Sequence, residues 1–169
     1  TERVVRAVED IAAVAEEMPD AQLLIFGEGR LRDALTAQIA ALGLEGRVRL
    51  TGPVPAAARY FKAFDRFVLS SDHEPFGMVL LEAMVAGLPV ITTDVCGYAH
   101  YVTDHDMGRV LPAPFDQPAL NGALSELLFH RADDWRARGA AFAAMADIYA
   151  MPERAAAWIA AIGERRAIT

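Results

Sequence analysis

Two glutamates bracket the run Glu74-Pro-Phe-Gly-Met-Val-Leu-Leu-Glu82, with seven residues between them. The Pro-Phe-Gly turn opens an apolar stretch that reads as a helix and continues to Ala86-Gly87-Leu88-Pro89. A glycine at a loop-to-helix junction lets a ligand approach the backbone closely. The free N–H groups of the first helical turn then face an anion. A carboxylate just before the turn, Glu74, and one inside the helix, Glu82, each accept hydrogen bonds from hydroxyls on either side of that anion. Hydroxyl, phosphate, hydroxyl is the pattern of a nucleotide sugar.

Other combinations point to weaker chemistry. Gly27-Glu-Gly29-Arg-Leu-Arg32 begins like a dinucleotide fingerprint, but Arg32 stands where the third glycine belongs. It reads as a tight strand-to-helix turn whose open backbone at Gly27 can contact a base. Asp72-His73-Glu74 lacks a second ligand cluster, and His100 and His105 match no zinc spacing. No metal is expected. Ser70-Ser71 is not in a nucleophile elbow, and Cys96 has no activating partner nearby in sequence, so it reads as a structural thiol.

The elements that must position these residues follow from periodicity. Val4, Val8, Ile11, Ala15 and Met18 fall at helical spacing over residues 2–18. Strands are expected at 22–26, 48–51, 67–70, 90–93 and 109–111. Leu31, Leu35, Ile39 and Leu42 define a helix closed by Gly43. Ala57, Tyr60, Phe61 and Phe64 form a short helical face. Three further helices carry Leu120 to Leu127, Trp135 to Tyr149, and Ala155 to Ile162. Strands alternating with helices imply a parallel, doubly wound α/β sheet, Rossmann-like, with extra C-terminal helices. Ligands of such sheets bind beyond the carboxyl ends of the strands. Gly27–Gly29, Gly52–Val54, Ser70–Gly77 and Asp94–Gly97 follow strands directly and are expected to line one rim.

Composition narrows the partners. The 169 residues are 54% apolar, enough for a single domain with a real core. A net charge of −7 without a basic stripe disfavours a nucleic-acid surface. One cysteine excludes an internal disulfide and fits a reducing compartment. No apolar run is long enough to span a membrane.

The segment Glu74 to Val90 resembles the E-x7-E signature of the family 4 retaining glycosyltransferases of GT-B fold. Phe26-Gly-Glu-Gly29, Leu50-Thr-Gly-Pro-Val54 and Phe64 to Ser70 stand where that family has its nucleotide-side loops. A narrower resemblance, to the glucosyltransferases of the lipopolysaccharide core, is carried by Leu88 to Tyr101, by Pro114-Phe115 and by Tyr149 to Ala155. The resemblance implies that residues 1–169 are the C-terminal, donor-binding half of such an enzyme, without its first strand and without the N-terminal acceptor domain. The donor would be a UDP-sugar, most simply UDP-glucose, and the acceptor a heptose of the inner core.

Carried onto this chain, the resemblance makes Glu74 the catalytic carboxylate beside the sugar and Glu82 the partner of the ribose hydroxyls. The turn at Phe76 and the N–H groups of Gly77, Met78 and Val79 would receive the diphosphate. Gly52 and Val54 are candidates for the uracil edge. The full enzyme would work in the cytoplasm at the inner face of the inner membrane, and this piece alone would not turn over substrate. Two rivals stay open: a non-catalytic nucleotide-binding or interaction module, and a family 4 transferase with another donor or acceptor. A glycoside hydrolase also uses two carboxylates, but they must flank one bond, whereas here a helix terminus is expected between them.

Overall fold

The computed structural model describes Val8 and residues 19–71, 73–114, 117–128 and 132–145. Its elements run β1 (Leu23–Phe26), α1 (Arg32–Ala41), β2 (Val48–Gly52), a 3₁₀ helix (Ala57–Ala63), β3 (Phe67–Leu69), α2 (Met78–Val85), β4 (Val90–Thr93), α3 (Ala99–Asp104), β5 (Gly108–Leu111), α4 (Gln117–Leu128) and α5 (Ala132–Met145). Every pairing between these strands is parallel. The Rossmann-like α/β fold expected from the alternation is present.

The strands are divided, however. β1 pairs with β2, and β3-β4-β5 form a separate sheet. Among the described residues no strand joins β1 to β3. A continuous sheet was the expectation. The division shows in burial: β4, flanked on both sides, is buried at every residue, while β1 and β3 are only half-buried along their whole length. One aromatic contact reaches across, with the Phe26 and Phe64 rings 5.7 Å apart.

Each sheet has its own core. Leu35 and Ile39 of α1 pack with Val8, Leu44 and Val48. Val8 is helical and fully buried; the rest of the helix expected over 2–18 lies outside the described residues. The larger core centres on α2, whose Leu80, Leu81, Ala83 and Met84 are all buried. Phe61, Ile91, Val102, Met107, Leu120, Trp135 and Phe142 close around them. A helix apolar on most faces needs cover on most faces, and α3 and α5 supply it with the sheet. Arg109 of β5 is tied to Glu126 of α4, donating from Nε at 2.9 Å, and this hydrogen bond raises the pKa of the guanidinium further.

Two helices stop by the same device. Gly43 and Gly87, with φ of 65° and 81°, follow the last residues of α1 and α2. Leu44 N–H donates to Ile39 O and Gly43 N–H to Ala40 O; Leu88 N–H donates to Ala83 O and Gly87 N–H to Met84 O. Both are Schellman closures, with a buried leucine completing each. Gly87 was legible as the point where the chain resets toward β4.

Three points concern the remaining helices. The short helical face expected at Ala57, Tyr60, Phe61 and Phe64 is a 3₁₀ helix over Ala57–Ala63. Helix α3 was not foreseen; six residues are too few to show a period. Tyr149 and the helix expected from Ala155 to Ile162 lie outside the described residues.

Helix α5 crosses α2 at a glycine pair. A Cβ on Gly139 would lie 2.5 Å from Gly87 Cα and 2.6 Å from Met84 O. Gly139→Ala is therefore expected to force the helices apart at a cost of about 1–3 kcal/mol. A urea titration should show a lower midpoint with an unchanged slope; an unchanged midpoint would mean that the crossing is looser than it looks.

Candidate functional site

Because all strands within each sheet run the same way, their carboxyl ends share one side of it. At that end of the larger sheet β3 leads into the 70–77 loop, and α2 begins at Met78. Gly77 occupies the N-cap with φ 78° and ψ 40°, a left-handed conformation that glycine adopts without penalty. This turns the chain so that Gly77 N–H points back toward Glu74. The Glu74 carboxylate accepts from it: Oε1 lies 3.0 Å from Gly77 N and 3.4 Å from Phe76 N. These amides belong to the N-cap residue and the residue before it, so the carboxylate closes the turn just ahead of the helix and leaves the first-turn N–H groups without a side-chain cap, while its negative charge near that terminus is favoured by the helix field.

The expectation had Glu74 beside the anion position and Gly77 N–H facing outward. The structure places the carboxylate itself on that N–H, so in this state Gly77 is not an outward-facing donor. The next two, Met78 N–H and Val79 N–H, have no acceptor among the described residues. Leu80 N–H closes onto Gly77 O at 2.9 Å. Glu82 is half-buried one turn into α2, on the same face as Met78. Its carboxylate meets no hydrogen-bond donor among the described residues. Phe76 is 65% exposed and Met78 38% exposed, beside Glu74 rather than in the core.

A second group forms at the end of the smaller sheet. Gly27 N–H donates to Gly52 O at 2.9 Å, bringing these two predicted residues together beyond β1 and β2. Gly27 has φ 119° and Gly52 φ 73°. Val54 follows, half-buried. Beside Gly27 a hollow of about 220 Å³ is lined by residues 25–32 with Leu35 and Leu50. Arg32 crosses its rim to pair with Glu28 at 3.0 Å. Among the described residues no hydrogen bond links this group to Glu74, Gly77 or Glu82.

Residues 92–98 were undervalued in the sequence. Gly97 N–H donates to Glu74 O at 3.0 Å, and Tyr98 N–H to Phe76 O at 2.9 Å. Thr93 Oγ1 donates to Ser71 O at 2.8 Å and Thr92 Oγ1 to Leu69 O at 3.1 Å. The signal for this contact was a lone glycine four residues past the end of a strand, where a missing side chain permits close backbone approach.

The Glu74 turn, the α2 tip and Glu82 thus lie together at the carboxyl ends of a parallel α/β sheet, the place where such sheets bind their ligands. Comparison with known proteins narrows the possibilities. Residues 1–142 match the family described as Glycosyl transferases group 1, and the chain belongs to that family. It is 35% identical over 156 residues to the lipopolysaccharide glucosyltransferase WaaG of Escherichia coli K12, covering 89% of this chain and 41% of that protein. It is 39% identical over 101 residues to the lipopolysaccharide core biosynthesis glycosyltransferase LpsE of Rhizobium meliloti, covering 60% of this chain and 29% of that one. The crystal structure of WaaG superposes with a TM-score of 0.81 at 34% identity, over 90% of this chain and 42% of that one. Anabaena HepE, solved with UDP and glucose, shares the fold at a TM-score of 0.75 and 23% identity, over 92% of this chain and 44% of that one. The chain thus spans less than half the length of these relatives.

The Glu74–Gly77 hydrogen bond makes a ligand-free prediction. Glu74→Ala removes that hydrogen bond and should cost about 1 kcal/mol of stability and speed hydrogen exchange at the Gly77 and Phe76 amides relative to Ile91 in the core. Unchanged relative protection, read by NMR, would show that the carboxylate does not hold those amides in solution.

Proposed function

We propose that this chain is the nucleotide-sugar donor domain of a retaining glycosyltransferase. The observation that carries the reading is the α2 tip: two N–H groups without acceptors among the described residues, a mobile-by-nature carboxylate side chain at Glu74, and Glu82 one turn inside. A diphosphate set against Met78 and Val79 N–H draws on the helix field, worth about 0.3–2 kcal/mol. Glu82 then accepts from ribose hydroxyls. The negative charge of the diphosphate repels the Glu74 carboxylate from Gly77 N–H, freeing that amide for a phosphate oxygen. Glu74 turned away from the tip accepts from hydroxyls of the sugar and favours positive charge at the anomeric carbon. Gly27, Gly52 and Val54 offer backbone edges to the base.

In this scheme the leaving diphosphate is stabilised by fixed amide dipoles, and the reading requires no metal. The helix field alone is too weak to hold UDP, so cationic side chains belong to the site as well. In this reading the donor is UDP-glucose and the acceptor a heptose of the lipopolysaccharide inner core; likeness to a lipopolysaccharide glucosyltransferase and to a lipopolysaccharide core biosynthesis glycosyltransferase supports glucose as the sugar and the core as the target. The acceptor is held by a further domain, and the chain alone binds donor without turnover. The whole enzyme works in the cytoplasm, peripheral to the inner membrane; no described helix is long and apolar enough to cross one.

Calorimetric titration of the chain with UDP-glucose, UDP and ADP-glucose tests this reading. UDP-glucose should bind best, and Glu82→Ala should weaken all UDP ligands about tenfold or more, as expected for hydrogen bonds to a charged acceptor. Affinity unaffected by Glu82→Ala would favour an interaction module instead. Glu74→Gln should bind UDP about two- to fivefold more tightly, because a screened like-charge contact is removed, while UDP-glucose loses most of its advantage over UDP. If UDP binding weakened instead, the charge competition assigned to Glu74 would be wrong.

A further inference from the structure

We propose that Gly97 is a positioning residue: the backbone strap Cys96-Gly97-Tyr98 sets the place of the Glu74–Gly77 turn, and with it the place of the Glu74 carboxylate. The inference rests on the donor-domain reading for its consequence, but its geometry stands without a ligand.

The turn has little core of its own. Pro75 and Phe76 are exposed and Glu74 is half-buried, so apolar packing cannot hold it to one position. Its backbone is held from outside instead. Glu74 O accepts from Gly97 N–H and Phe76 O from Tyr98 N–H, and Glu74 pairs with Cys96 as an isolated parallel bridge. These are the backbone atoms on either side of Pro75, a residue without an N–H of its own.

Gly97 is needed there for space, not for torsion. Its φ lies outside the left-handed range, so other residues fit its backbone conformation. A Cβ, however, would lie 2.1 Å from Pro75 O and 3.0 Å from Pro75 C. Those atoms are main chain and cannot rotate aside. A side chain at 97 must push the turn away from the strap, and Glu74 moves with it.

The strap has firm footing. Cys96 is buried, and its Sγ lies 3.1 Å from Thr92 Oγ1. Cys96 N–H donates to Thr93 O, and Cys96 O accepts from Ala99 N–H. Thr92 and Thr93 are buried in β4 and donate to Leu69 O and Ser71 O, so the same strand end grips β3 and the start of the loop. The Tyr98 ring packs edge-on against Tyr101 of α3 at 5.9 Å. The loop is therefore gripped at Ser71 and again at Glu74 and Phe76, all from one short stretch of chain.

The test uses the whole chain and three variants, Gly97→Ala, Thr92→Val and Gly139→Ala, read by hydrogen exchange at Phe76 and Gly77 relative to Ile91 and by titration with UDP-glucose. Gly97→Ala should speed relative exchange at both amides at least tenfold and weaken UDP-glucose at least tenfold. Thr92→Val, which removes the hydroxyl beside Cys96 with little change of shape, should act in the same direction by about threefold and serves if the alanine variant fails to fold. Gly139→Ala inserts a Cβ into another backbone contact too close to accept one, 2.5 Å from Gly87 Cα and away from the turn, and should leave both readings within twofold. Unchanged relative protection in the first two variants overturns the proposal, and so does an equal loss in Gly139→Ala, which would mark a general packing effect. If the wild-type chain binds no UDP-glucose, the donor reading fails, while the exchange measurements still decide the role of the strap.

Discussion

The hydrogen bond from Gly77 N–H to the Glu74 carboxylate ties the chemistry of this chain to its backbone. It requires a left-handed residue at the helix entry, which glycine supplies. It requires Glu74 to sit three residues before that entry, on a turn that returns the side chain to its own amide. It also puts a negative charge where the helix field is most positive. An acid placed there is at its lowest energy without an anionic ligand and at a disadvantage beside one. The same contact therefore stabilises the resting turn and makes it responsive to what arrives.

The surroundings keep that arrangement in place through small residues and backbone contacts. Gly97 admits the strap to the turn; at the opposite end of α2, away from the turn, Gly87 with Gly139 admits α5. Schellman closures fix where α1 and α2 end. Between these points α2 is packed by Leu80, Leu81, Ala83 and Met84, so its N-terminal end is presented by a helix whose body is locked. Preorganisation of this kind lets fixed dipoles act on a ligand without being rearranged first.

Much of this was legible before any coordinates. Strands were readable at 22–26, 48–51, 67–70 and 90–93, within a residue of those observed, because β-branched and other apolar residues run together without helical spacing; of these only β4 is buried at every residue. The E-x7-E run was readable because glycine, carboxylate and apolar helix occur together. The direction of the Glu74 side chain was not, since a carboxylate before a helix serves either as its cap or as a ligand group, and spacing does not distinguish the two. Helix α3 escaped notice for want of length. Gly97 escaped because its requirement is a contact with Pro75, more than twenty residues earlier. Thr92 and Thr93 looked like ordinary strand residues; only the fold shows that their hydroxyls fasten neighbouring segments.

The division between the two sheets has a bearing on how the chain behaves in the test tube. β1 and β3 each pair on one side only among the described residues, and their side chains, Leu23 to Phe26 and Phe67 to Leu69, are apolar and half-covered. Such edges carry neither proline nor charge to deter a visiting strand. Edges of that composition are where strand pairing between molecules starts, and a lysine introduced on β1 or β3 opposes it.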